Sequence, residues 1–92
     1  MGGEIKFLIK KLVLDVLKPR EPPIYDLAAK LTSCQGVNEV NILLAEIDQN
    51  TESIKVSITG DEIDIETIKK CVEEYGASIH SIDEVTVAKR KR

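Results

Sequence analysis

The sequence predicts an α+β fold, a four-stranded antiparallel sheet with two helices on one face. Three observations predict it. Runs of alternating or β-branched apolar residues recur at 11–17, 37–48, 53–59 and 77–87, separated by two stretches of helical apolar spacing at 24–34 and 64–75. The helical stretches both end at a glycine, Gly36 and Gly76, and a strand follows each. The two halves therefore read as an internal repeat, in the order β-α-β-β-α-β. Right-handed crossovers turn that order into the ferredoxin-like split βαβ arrangement, strand order 4-1-3-2. All 92 residues read as one domain with a core at about 11–88, a short N-terminal leader and a basic C-terminal tail.

Each element has its own signal. Residues 11–17, KLVLDVL, are rich in Leu and Val, as a central strand requires. Leu12, Leu14 and Val16 fall on one face, and Val13, Asp15 and Leu17 on the other. Pro19, Pro22 and Pro23 break the strand and suit a helix start, where a missing N–H costs nothing. Ile24, Leu27, Ala28 and Leu31 then form an apolar stripe, and Gly36 stops the helix. In the second strand Val40, Ile42 and Leu44 share a face, and simple alternation carries Glu46 and Asp48 onto it. Residues 49–52, QNTE, are turn-forming, and Ile54, Val56 and Ile58 alternate with Lys55, Ser57 and Thr59 to complete a hairpin. Asp64 is placed as the N-cap of the second helix, with Ile65, Ile68, Val72 and Tyr75 as its buried stripe.

Charge and composition narrow the function. Net charge is −3, yet Lys89, Arg90, Lys91 and Arg92 carry +4, which leaves −7 on the first 88 residues. An acidic body argues against a nucleic-acid surface on the folded domain. The tail alone retains contact with RNA or an acidic partner as an alternative to a solvated end. No apolar run approaches the roughly 18 residues of a membrane span, and no signal peptide precedes the domain, so the expected location is the cytoplasm. An RNA binder of this fold stacks bases on aromatics of the central strands, whereas residues 11–17 and 53–59 contain none. A metal chaperone of this fold needs Cys-x-x-Cys in its first loop, and an acylphosphatase-like enzyme needs a glycine-rich anion loop there. That loop holds prolines, Arg20 and Glu21.

What remains is assembly. Val13, Leu17 and Leu43 point away from the helices and are left in water unless a second copy covers them. Association is also a source of extra stability for a domain this small. Strands 2 and 4 are opposite edges of the expected sheet, so edge-to-edge assembly brings Glu46 and Asp48 of one copy near His80 and Asp83 of the next. The expected role is a non-enzymatic module that binds a small ligand or a divalent cation at this subunit boundary, and hard oxygen ligands there suit Ca²⁺ or Mg²⁺. The competing role of these acids is to keep edges apart. An enzyme using His80 with Asp83 is a further alternative, but no nucleophile or oxyanion site accompanies them, and the adjacent Ser81 points to the opposite face. Cys34 and Cys71, one near the end of each helix stripe, read as two reduced buried thiols, with a disulfide or metal pair as the alternative.

Four segments also carry a resemblance. Gly36-Val-Asn-Glu-Val-Asn-Ile42, Glu46-Ile-Asp48, Ile54-Lys-Val-Ser-Ile-Thr-Gly60 and above all Ile79-His-Ser-Ile-Asp-Glu-Val85 resemble an uncharacterised archaeal family of domains of unknown function. The resemblance covers about residues 11–89. It implies a ferredoxin-like fold, a cytosolic archaeal source and ring-like homo-oligomers, and it implies no established activity. The match ends where Val87-Ala88-Lys89 gives way to the basic tail, so it assigns the tail no role.

Overall fold

Strand β1 (Phe7–Pro19) leads through the proline loop into helix α1 (Ile24–Thr32), then β2 (Val37–Ile47), β3 (Thr51–Gly60), α2 (Ile65–Glu74) and β4 (Ser78–Lys89). The structure is a computed structural model and describes residues 7–90. The sheet order is β2-β3-β1-β4, every neighbouring pair is antiparallel, and the topology is the ferredoxin-like βαββαβ of the sequence reading.

The core forms where the alternation of β1 and β3 meets the helix stripes. Leu12, Leu14 and Val16 lie opposite Ile58, Val56 and Ile54 and are fully buried with them. Leu27 and Leu31 of α1 and Ile68, Cys71 and Val72 of α2 close over this row. Ile24 and Tyr75, at the ends of the stripes, are only partly buried. α1 ends earlier than the apolar spacing suggests. The hydroxyls of Thr32 and Ser33 donate to the carbonyls of Ala29 and Lys30 at 2.7 and 2.6 Å, competing for the last helical acceptors. Gly36 follows in the left-handed region at φ 89°, and a Cβ on it would meet the Glu62 carbonyl oxygen at 2.0 Å. Only glycine fits there, because the turn before β2 packs directly on the loop before α2.

β1 is longer than the sequence reading at both ends. At its start Phe7 pairs with Lys89, so the strand does carry one aromatic, half-exposed at its tip and away from the central rows. At its end Lys18 continues the inward parity of Leu12, Leu14 and Val16. It is only 1 % exposed, and its ammonium donates to the Pro19 carbonyl at 2.7 Å and to Glu52 Oε1 at 3.1 Å. β3 begins at Thr51, two residues early, because Glu52 pairs with Lys18 across the sheet. Asp64 occupies the N-cap of α2 as placed, but its carboxylate accepts from the Thr67 hydroxyl at 2.8 Å and makes no cap bond to the backbone.

Strand and helix lengths do not match. At about 3.3 Å per strand residue and 1.5 Å per helix residue, β1 runs roughly 40 Å while α2 covers about 15 Å. Apolar residues on the helix side of the edge strands are therefore left uncovered. Leu44 and Ile47 on β2, and Ile82, Val85 and Val87 on β4, are 46–55 % exposed.

Candidate functional site

The four candidate residues lie at or beside irregularities of the edge strands. In β2, Leu44 pairs with Ile54 but Glu46 pairs with Ser53, so Ala45 is an extra residue. This bulge overturns the simple alternation that put Glu46 on the face of Val40, Ile42 and Leu44. Glu46 stands on the sheet face away from the helices, and Ile47, opposite Glu52, takes the helix side. Asp48 lies past the strand end, where its N–H donates to the Thr51 carbonyl at 2.8 Å and closes the hairpin. The two acids share the same end of β2 but not one strand face.

His80 and Asp83 are themselves the bulge residues of β4. Val16 pairs with Ile79 and Asp15 with Ser81, which skips His80; Leu14 pairs with Ile82 and Val13 with Glu84, which skips Asp83. The two bulges keep Ile79, Ile82 and Val85 on the helix side at spacings of three. Both bulge side chains are exposed at a sheet edge, the usual setting for such features.

Asp83 is tied into the outer face of its own sheet. The Lys55 ammonium, reaching over β1 from β3, donates to its Oδ2, and the Ser81 hydroxyl donates to Oδ1 at 2.7 Å. The bond from Lys55, then that from Ser81, holds the Asp83 carboxyl below the usual carboxylate range, and the same contact raises Lys55. Nearby, Lys11 and Glu84 pair at 3.3 Å. These two cross-strand ion pairs lie on the outer face beside Val13, while Leu17 and Leu43 on the same face stay 44 and 63 % exposed. Ser81, whose hydroxyl is committed to Asp83, makes no bond to His80.

Within one copy, the four residues do not converge. Glu46 and Asp48 belong to the β2 edge and His80 and Asp83 to the β4 edge, with β3 and β1 between. Among the described residues, no group of three or more His, Cys, Asp or Glu side chains is arranged to hold a metal ion. Their relative heights can still be read from the register. Leu44, Ile54, Val16 and Ile79 form one row across the sheet; Glu46 lies just beyond it, in the row of Ser53, Leu17 and Ser78, and His80 just beyond it on the other side, toward Ser81. Beside His80, a cleft of about 270 Å³ opens between α2 and β4, lined by Ile65, Ile68, Ile79 and Ile82 above Leu12 and Leu14.

Two features escaped the sequence reading. Lys18 was legible by parity, since it is the next inward position after Val16. The β4 bulges were legible in the three-residue spacing of Ile79, Ile82 and Val85, which no regular strand produces. Of the basic tail, Lys89 ends β4 and Arg90 lies 3.8 Å from Glu62, while Lys91 and Arg92 fall outside the described residues. Among the described residues, no helix is long and apolar enough to cross a membrane.

Comparison with known proteins follows the same segments. The sequence profile of the DUF211 family, described as uncharacterised ArCR, matches residues 10–91. The uncharacterised protein MJ0319 of Methanocaldococcus jannaschii is 49 % identical over 82 residues, which cover 89 % of this chain and 84 % of that protein.

Proposed function

We propose, for a chain that belongs to the DUF211 family of uncharacterised archaeal proteins, that it is a non-enzymatic module which assembles with copies of itself, β2 edge against β4 edge. The observation that carries this reading is the complementarity of the two edges. Because β2 runs parallel to β1 and β4 runs against it, β4 of one copy lies antiparallel to β2 of the next when the copies are arranged head to tail. Both edges bear uncovered aliphatic residues on the helix side, Leu44 and Ile47 on one and Ile82, Val85 and Val87 on the other. Joining them continues the sheet, satisfies two rows of backbone N–H and C=O groups and covers those side chains. A head-to-tail contact of this kind closes into a ring when its rotation allows.

The same pairing brings Glu46 and Asp48 of one copy toward His80 of the next, with Asp83 further along the strand. Oxygen donors in that setting suit Ca²⁺ or Mg²⁺. Asp83 joins them only by leaving Lys55, so the ion competes with that bridge. Millimolar Ca²⁺ or Mg²⁺ then raises the melting temperature of the wild type and does so less for Glu46→Gln and Asp48→Asn. An unshifted wild-type midpoint removes the ion and leaves the assembly standing.

Edge variants test the assembly. Leu44→Glu damages only the β2 edge and Val85→Glu only the β4 edge. Each places an unpaired charge in the contact, which costs roughly 3–5 kcal/mol when it is buried there. Each variant alone sediments as a single chain. A mixture of the two forms a dimer and no larger species, because one sound β2 edge meets one sound β4 edge. Variants that assemble like the wild type, or a mixture that stays monomeric, contradict the edge pairing.

A further inference from the structure

We infer that Cys34 and Cys71 form a two-electron redox pair that closes to an intrachain disulfide tying the end of α1 to α2. The two residues are 37 positions apart, yet their sulfurs lie 2.6 Å from each other. Cys34 follows the C-cap Ser33, and Cys71 faces it from the second half of α2. Both are free thiols, 8 and 9 % exposed. A disulfide requires about 2.05 Å between sulfurs, so closure shortens their separation by about half an ångström.

The surroundings make the pair slow to react. The Cys34 thiol is pushed up to about 12 by burial first and by the neighbouring Cys71 second. The charged groups beside it are Lys30, which favours the thiolate, and Glu74, which opposes it; these two side chains pair with each other at 3.5 Å. The thiol Sγ also contacts the Lys30 carbonyl at 3.9 Å. Little thiolate exists at neutral pH, and oxidation accelerates as pH rises.

The oxidant required is a low-molecular-weight disulfide. One cysteine thiolate attacks a sulfur of that disulfide and forms a mixed disulfide, and the departing small thiolate takes up the proton the cysteine released. The second cysteine then attacks the protein sulfur of the mixed disulfide, and a second small thiol leaves with its proton. Two protein S–H bonds and one small S–S bond become one protein S–S bond and two small S–H bonds. The protein loses two electrons and the small disulfide gains them. The closed ring encloses β2, β3 and the first turns of α2, so it pins the β2 edge strand to the helix layer.

The test treats the whole chain with hydroxyethyl disulfide at mildly alkaline pH, warmed to just below its melting temperature. The expected product has lost the mass of two hydrogens and has no thiol open to maleimide after denaturation. It melts on the order of 15 °C higher, and dithiothreitol reverses all three changes. Cys34→Ser and Cys71→Ser each stop at a mixed adduct and show no such rise. A wild type that keeps two alkylatable thiols, stops at the mixed adduct, or cross-links to a second copy overturns the assignment. These readouts arise between two helices of one copy, so they do not depend on the edge assembly.

Discussion

Lys18 is the one charged residue sealed in the interior among the described residues. It persists there because every donor of its ammonium has an acceptor: the Pro19 and Arg20 carbonyls and the Glu52 carboxylate. Glu52 is less enclosed and has Arg20 Nε at 3.9 Å as a second partner. The two halves of the pair are therefore unequal. Glu52→Leu strands a buried ammonium and lowers stability by about 3 kcal/mol, whereas Lys18→Met leaves a carboxylate that still reaches Arg20 and costs less. The double substitution recovers most of the loss, and urea midpoints at constant slope measure all three. The Lys55–Asp83 bridge on the outer face behaves differently, because water reaches it and its contribution is small. Asp83 is lowered in the folded state, so its contribution is present at neutral pH and lost as pH falls through the folded value. Lys55 is raised, so the same contribution is lost again as pH rises through the folded lysine value. Asp83→Asn accordingly separates from the wild type in thermal midpoint near neutrality and converges with it at both acidic and strongly alkaline pH.

At the scale of elements, regular periodicity was legible and irregularity was not. Leu12, Leu14 and Val16, or Ile54, Val56 and Ile58, alternate without interruption, and the structure buries all six. The helix stripes were equally plain, though α1 stops sooner because Thr32 and Ser33 take its last carbonyls with their hydroxyls. The candidate site was harder because it sits on bulges. One extra residue, Ala45, reverses the face of everything after it in β2, so Glu46 and Ile47 exchange the places that simple alternation assigns them. On β4 the spacing of Ile79, Ile82 and Val85 announces two bulges, but alternation still pulls the eye to a regular strand. The reach of β1 beyond 11–17 was also hidden, since the Lys10-Lys11 pair and Lys18 look like strand ends by composition. Lys10 is in fact a bulge residue, and Lys18 an inward one.

At the scale of the molecule, the sheet is longer than the helices that cover it, and two edges are left with both backbone groups and aliphatic side chains in water. The outer face, which the sequence reading offered as an equal route to association, is partly quieted by Lys11–Glu84 and Lys55–Asp83. Leu17 and Leu43 stay exposed on it, and a larger set of uncovered apolar residues, Leu44, Ile47, Ile82, Val85 and Val87, lies on the helix side of β2 and β4. A head-to-tail chain of copies removes both exposures with one contact. The most direct measurement is sedimentation velocity of the wild-type chain across a wide range of concentration. Edge pairing predicts a closed species at a fixed integer multiple of the 10.2 kDa chain. A single species at the mass of one chain at every concentration contradicts it.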